Sequence, residues 1–172
     1  MESSAVNMLA EADMAILELH DCINNGPTLQ IVHRFHDREL GAACQPGEEV
    51  VAVFLLCRNR KIMLPLSLST RLLVNYLAEW RHIPQSATQI AAGMRGSAFY
   101  RKHAANAGIT IRRTMSRTAI KEYVRRVKTS LNVALVGASL PIDSDRLLVS
   151  SKTTGNEVLH QLRTRIEWLH LN

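Results

Sequence analysis

Apolar residues recur with a helical period in the second half of the chain, where the pattern is clearest. Four of them, at intervals of three and four, fall on one face of a helix: Ile120, Val124, Val127 and Leu131. Ser116 comes just before this stretch, and its hydroxyl suits an N-cap that accepts a hydrogen bond from a first-turn amide. The pattern predicts a helix over Ser116–Leu131 that can continue to Val136, where Gly137 stops it.

The same periodicity predicts four other helices. They cover residues 2–24, Leu68–Arg81, a segment that starts at Ser86 and is ended by Gly93 and Gly96, and Ser97–Ala107. The buried side of the second of these helices is expected to contain Leu72, Leu73, Tyr76, Leu77 and Trp80. The apolar face of the first helix contains Val6, Leu9, Ile16, Leu19 and Ile23. This face could pack on its own domain, which we favour, or pair with a second copy.

Shorter segments have the composition of strands. Leu29–His36 and the apolar run Val50–Cys57 are predicted strands, and Ile62–Leu64 returns beside the latter in a hairpin. Further along, we expect a short extended segment at Ile109–Arg113, a strand at Arg146–Ser150 and a polar turn at Lys152–Glu157. The tail Val158–Leu171 fits both a strand and a helix, so both alternatives stay open.

Length and composition narrow the class of protein. The 172 residues suit one domain, or one domain with an appendage, and an apolar content of 47% is ample for a packed core. The longest apolar run, Val50–Cys57, is far shorter than a membrane span. The acidic N-terminal stretch lacks early Lys or Arg and does not resemble a secretory signal or transit peptide. We therefore expect a cytoplasmic protein that makes no membrane contact.

Charge is distributed unevenly along the chain. The first 50 residues carry a net charge of −7, so the remainder carries +13 within an overall charge of +6. Ten Lys or Arg residues and a single acid, Glu122, lie between Arg95 and Lys128. A positive field this concentrated attracts a polyanion. We expect a polyanion-binding surface in the last two-thirds of the chain and a scaffold or interaction role for the first third.

Patterns typical of catalysis or metal binding are not found in the sequence. Cys22, Cys44 and Cys57 lack CxxC spacing, and the seven histidines form neither HExxH nor a zinc spacing with the cysteines. The candidate nucleophiles Ser69, Ser86 and Ser97 lack a GxSxG elbow. We expect no enzyme activity, no metal and no cofactor, and we interpret the cysteines as buried or incidental thiols.

A strand hairpin, three helices and a second hairpin follow one another in an order that resembles a known family. Its members are the winged helix-turn-helix effector domains of OmpR/PhoB-type transcription factors. The residues that carry the resemblance are Leu66-Ser67 for the family's Leu-Thr pair, His82-Ile83-Pro84 for its turn, and Tyr123, Val124, Arg125, Arg126, Val127, Lys128 and Leu131 for its recognition helix.

The resemblance covers Val50–Leu162, and the sequence departs from the family pattern at several positions. Thr70 and Arg71 replace the family's acid and aromatic, and the Gly-Tyr pair of the wing is missing. The segment between the second and third helices is longer than in the family. The fifty preceding residues are too few for a receiver domain, so phosphorylation control of the usual kind is not implied.

The resemblance implies an α+β fold: a winged helix-turn-helix with an N-terminal helix and a small antiparallel β-platform. Residues 1–48 would be an acidic scaffold and oligomerisation segment, and residues 49–172 the DNA-binding domain. The implied function is a sequence-specific transcriptional regulator that binds double-stranded DNA. Its helix 116–131 would enter the major groove and its wing, Arg146–Leu162, would contact the backbone or minor groove. The implied partners are a second copy, in a homodimer, and RNA polymerase or another regulator.

Candidate DNA-binding residues fall into groups by position. Arg117, Lys121 and Arg125 are candidates for reading base edges, because Arg and Lys donate to guanine O6 and N7. The candidates for phosphate or backbone contact are Arg101, Lys102, Arg112, Arg113, Arg126 and Lys128. The resemblance assigns the tip of the wing to Lys152, Thr153, Thr154 and Asn156.

Two other functions fit the same sequence. The segment Phe99–His103 puts aromatics beside cations, as in RNA or single-strand binders that stack unpaired bases. The plainer interpretation, which we favour, is that Phe99 and Tyr100 are core residues. Alternatively, the basic helix docks on an acidic protein while residues 2–24 oligomerise, which describes an adaptor that binds no nucleic acid.

Overall fold

The computed structural model describes residues 2–36, 47–106, 108, 110 and 115–171, and within them the fold is α+β, as expected. In chain order the elements are α1 (Glu2–Asn25), β1 (Thr28–His36), β2 (Gly47–Cys57), β3 (Arg60–Met63), α2 (Leu68–Glu79), β4 (Gln85–Ser86), α3 (Ala87–Gly96), α4 (Ala98–Asn106), α5 (Arg117–Gly137), a 3-10 turn (Ser144–Arg146), β5 (Leu148–Lys152), β6 (Val158–Leu162) and β7 (Arg165–Leu171). None of the helices in these ranges is long and apolar enough to cross a bilayer.

Four strands form the first sheet, in the order β3-β2-β1-β7. β1 and β2 pair antiparallel, and β2 continues into β3 through a tight turn. In this turn Arg58 and Asn59 both have positive φ, as a type I′ hairpin turn requires. The predicted strands are therefore confirmed, with β2 longer than expected. β7 adds a parallel edge to β1 that the sequence did not indicate.

The second sheet has the order β4-β6-β5. It combines two strands from near the end of the chain with β4 from the helical part. β5 and β6 form an antiparallel hairpin in which Leu148 pairs with Leu162 and Lys152 with Val158. The two-residue strand β4, between α2 and α3, pairs with β6. The predicted strand Arg146–Ser150 is confirmed as β5, which starts two residues later than expected. The tail, left open between strand and helix, forms the two strands β6 and β7.

Helix α5 follows the apolar pattern closely. All four residues of its predicted stripe are buried, and Ala134 and Leu135 extend the stripe into the last turns. The Ser116 hydroxyl accepts a hydrogen bond from the Ala119 amide at 3.1 Å, which confirms the predicted N-cap. α2 and α3 pack on this helix and share one hydrophobic core with the first sheet.

Two details of the helical layer differ from the prediction. Trp80 was expected on the buried side of α2, but its side chain is 46% exposed. The expectation was wrong because the helix ends at Glu79, and Trp80 is the C-cap. α3 continues through Gly93 to Gly96, because Gly93 lies against Tyr76 of α2 and the missing side chain permits this close packing.

Helix α1 does not pack on the domain along its length. Residues 5–17 are all exposed, and the packing against the core is made near the end of the helix by Leu19 and Cys22. The preferred expectation of self-packing is therefore wrong for most of α1. The expected division at residue 48 falls inside β2, and β1 pairs with β2 across it.

Candidate nucleic-acid interface

Exposed cations line the outer side of α5. Arg117, Lys121 and Arg125 are spaced four residues apart, so they form a row along one side of the helix. All three are exposed, while the buried stripe on the adjacent side fixes the helix in the core. Among the described residues, neither Arg117 nor Lys121 has an ion-pair partner. A rigid helix with such a row can present donors to a groove in nucleic acid.

Glu122 interrupts this positive surface. Its carboxylate accepts two hydrogen bonds from the Arg125 guanidinium, at 2.6 and 3.0 Å, and one from Arg126 Nε at 3.0 Å. These hydrogen bonds, with the attraction of both cations, lower the pKa of Glu122 to about 2. Two of the candidate cations therefore share one carboxylate, and part of their charge is compensated in the free protein.

Arg125 and Arg126 also line a shallow cleft beside the start of α2. The other side of the cleft includes Leu66, Ser67 and Thr70, and the Ser67 hydroxyl caps α2 by accepting from the Thr70 amide. The start of a helix carries partial positive charge, which adds to the charge of the two guanidinium groups. The electrostatics of the cleft suit an anionic oxygen.

Lys128 is held differently from the other cations of α5. Its ammonium lies 2.7 Å from a carboxylate oxygen of Asp145, and its side chain is only 20% exposed. The ion pair lowers the pKa of Asp145. Lys128 therefore links α5 to the 3-10 turn that leads into β5. To contact a phosphate, it would have to exchange this partner.

The β5–β6 hairpin lies beside the row of cations. His160 of β6 is buried, and its pKa is lowered by burial and then by the charges of Lys128 and Lys121. At the far end of the hairpin, Lys152, Thr154 and Asn156 are exposed, and Thr153 is partly buried. The hairpin therefore carries a small polar tip, and its buried His160 is close enough to α5 for the charge of Lys121 to affect it.

The aromatic segment of α4 belongs to the interior. Tyr100 is 1% exposed, and its hydroxyl accepts a hydrogen bond from Asn75 Nδ2 at 2.8 Å. His103 Nε2 accepts from the Val50 amide at 2.9 Å, and Phe99 packs on the core. The interpretation of Phe99 and Tyr100 as core residues is confirmed. Arg101 and Lys102 point to the exposed side of the same helix.

Two candidates, Arg112 and Arg113, lie outside the described residues, as does nearly all of the predicted extended segment Ile109–Arg113. A residue that the sequence did not single out approaches this region. Arg95, at the end of α3, donates a hydrogen bond of 2.6 Å from its guanidinium to the carbonyl of Met115. It thereby positions the chain immediately before the cap of α5. Only the tertiary fold brings the two residues together, so the sequence carried no signal for this contact.

No group of three or more His, Cys, Asp or Glu residues in the described ranges could hold a metal ion. No protein-family model matches the chain, and no curated protein or solved structure gives a significant match. Inference about function therefore depends on the arrangement of the residues themselves.

Proposed function

We propose that the protein binds double-stranded DNA in a sequence-specific manner and regulates transcription. The observation that carries this proposal is the two-sided construction of α5. One face is buried over six residues, and an adjacent, exposed side carries Arg117, Lys121 and Arg125. A helix fixed in this way can lie in the major groove without losing its packing.

The order and pairing of the elements support a winged helix-turn-helix. α2, the short strand β4, α3, α5 and the β5–β6 hairpin follow in the order of that fold, and β4 pairs with β6. In this proposal α5 is the recognition helix and β5–β6 is the wing. α4 and the residues that follow it are an addition between the second helix and the recognition helix.

Each group of cations then has a separate task. Arg117 and Lys121 read base edges, and Arg125 joins them when it exchanges Glu122 for a base or a phosphate. Arg126 and the start of α2 hold a phosphate at the cleft described above. Lys152 at the hairpin tip contacts the backbone or the minor groove. The proposed activity is cytoplasmic, with RNA polymerase or another regulator as the partner of the protein.

A homodimer is part of the proposal, since winged helices often bind paired half-sites. Six large apolar side chains of α1 are more than half exposed: Val6, Met8, Leu9, Met14, Ile16 and Leu17. Leu9 and Ile16 are seven residues apart and share one side of the helix, which Asp13 borders, while Glu11 and Glu18 lie on the opposite side. Two copies of α1 can therefore pair without bringing these acids together. Light scattering of the wild type and of Ile16→Glu tests this, and a monomeric wild type would refute it.

The first test of the function is fluorescence anisotropy with random duplex, single-stranded DNA and RNA of equal length across a salt series. We expect non-specific duplex binding in about the micromolar range at low salt, weakening steeply as salt is added. Selection from genomic fragments then supplies the specific site. Preference for single strands or RNA would refute the proposal, and so would the absence of binding to any of the three.

Variants separate base reading from general attraction. Arg117→Ala and Lys121→Ala are each expected to weaken binding to the selected site by about 5- to 150-fold, with less effect on random duplex. Lys152→Ala should weaken binding to all duplexes and reduce the salt slope by about one. Arg34→Ala, an exposed cation on the first sheet, is the matched control and should leave affinity nearly unchanged. Equal losses on both duplexes for Arg117→Ala and Lys121→Ala would show that neither residue reads bases.

A further inference from the structure

Two cysteines lie side by side in the core although they are 35 positions apart in the chain. The Cys57 thiol donates a hydrogen bond to Cys22 Sγ, and the two sulfur atoms are 3.1 Å apart. Cys22 is in the last turns of α1 and Cys57 ends β2, and both are more than nine-tenths buried. Both thiols are free. The sulfurs would have to approach by only about 1 Å to reach the covalent distance of about 2.05 Å.

The pair is reached from solvent through an open cleft. Both cysteines line it, together with the acids Glu18 and Asp21 of α1 and four cations from the hairpin turn, β3 and β7: Arg58, Arg60, Lys61 and Arg165. Burial raises the pKa of Cys57 to about 12, with a further contribution from Cys22, so Cys57 keeps its proton. Cys22, which receives that hydrogen bond, is the sulfur placed to react first.

We propose that Cys22 and Cys57 form a redox-responsive dithiol, which hydrogen peroxide converts into a disulfide between α1 and β2. In the first step Cys22 sulfur attacks a peroxide oxygen, the O–O bond breaks, and a sulfenic acid and water form. In the second step Cys57 sulfur attacks the sulfenic sulfur, loses its proton, and displaces the hydroxyl as water. Two thiols and one peroxide therefore give one disulfide and two waters, and the two sulfurs supply the two electrons that peroxide takes up.

The bond would fasten a helix that has few other attachments within the described part of the chain. Besides Leu19 and Cys22, α1 is held by the ion pair of Asp21 with Arg165, 2.5 Å long and exposed to solvent. The disulfide would close a loop of roughly 35 residues, and a loop of this length is expected to raise the melting temperature by about 10 °C. Oxidation would in this way set how firmly the apolar helix α1 is fixed to the domain.

The test is intact-mass and peptide mass spectrometry of the full chain before and after treatment with hydrogen peroxide, with alkylation of free thiols under denaturing conditions. The expected result is a loss of about 2 Da, a linked Cys22–Cys57 peptide, and a single remaining alkylation site at Cys44. Cys44→Ser should behave as the wild type, whereas Cys22→Ser and Cys57→Ser should lose the mass change and the rise in melting temperature. Three alkylated cysteines after oxidation, a bond to Cys44, or conversion of Cys22 to sulfonic acid would each overturn the proposal. Because the wild-type measurement needs no variant, a poorly folded variant would not obscure the result.

Discussion

Gly93 is the position at which one methyl group should have the largest effect on the packing of the helices. A Cβ built on Gly93 would lie 2.1 Å from the Tyr76 hydroxyl oxygen and 2.8 Å from Tyr76 Cζ. Tyr76 is 5% exposed, and its hydroxyl donates a hydrogen bond to Gln85 Oε1 at 2.9 Å. Gly93→Ala therefore forces the ring, or α3 itself, to move. The movement would also break the hydrogen bond between α2 and β4.

The size of the effect follows from three contributions. Overpacking of a core costs about 1–3 kcal/mol, and loss of the buried hydrogen bond costs about 1 kcal/mol. The higher helix propensity of alanine offsets about 1 kcal/mol of this loss in stability. The net loss in the free energy of unfolding is about 2 kcal/mol. With an unfolding entropy of about 2.1 cal/mol/K per residue, this lowers the melting temperature of the 172-residue chain by about 5 °C.

Gly96→Ala is the matched control. Gly96 belongs to the same helix as Gly93, and a Cβ built on it has no neighbouring atom within 4 Å. This variant should be as stable as the wild type or more stable by up to about 1 kcal/mol. Tyr76→Phe removes the nearest clashing atom, so Gly93→Ala should cost less in that background than alone. Urea denaturation of the four variants and the wild type measures these differences. Equal stability of Gly93→Ala and Gly96→Ala, or strict additivity with Tyr76→Phe, would refute the reasoning.

Three further outcomes are expected. Glu122→Gln releases Arg125 and Arg126, so it should raise affinity for duplex DNA and steepen its salt dependence; weaker binding in an anisotropy titration would contradict this. The pKa values of His103 and His160 are lowered, mainly by burial, so the unfolded chain binds protons that the folded chain does not. The free energy of unfolding should therefore decrease as pH falls below about 6.5, and urea midpoints that stay constant from pH 7.5 to 5.5 would argue against it. Leu131→Ala should destabilise the protein by about 2–5 kcal/mol in thermal melts, whereas Val133→Ala, at a position 67% exposed on the same helix, should change stability little.

Elements with a strong local pattern could be predicted from the sequence. The apolar stripe and the serine cap of α5 depend on residues within a few positions of one another, and both were confirmed. The same is true of the β2–β3 hairpin, whose turn is polar and short, and of strand β5, whereas the pattern of β6 left strand and helix open. The contact of Glu122 with Arg125 and Arg126 also follows from three- and four-residue spacing on a helix, so these two ion pairs were predictable from the sequence.

Contacts between distant segments could not be predicted in this way. The amphipathic pattern of α1 specifies an apolar side but not what covers it, and most of that side is exposed. The pairing of Lys128 with Asp145 depends on where the chain turns back after α5. The same holds for Cys22 and Cys57, whose spacing gives no motif although the fold puts their sulfurs in contact. A periodicity describes one element, while these contacts need the relative position of two.

The parallel pairing of β7 with β1 has a consequence for the order of events during synthesis. Thr28 pairs with Arg165, and Gln30 donates a side-chain hydrogen bond to Glu167 across a separation of 137 residues. β1 is translated early, yet one of its edges has no partner until residues 165–171 have left the ribosome. Since Leu29 and Ile31 of β1 are fully buried in the finished fold, a nascent chain exposes an apolar strand with a free edge for most of its translation. Chaperone dependence and losses to aggregation should therefore arise from this strand, before the helices of the proposed DNA-binding surface have been translated.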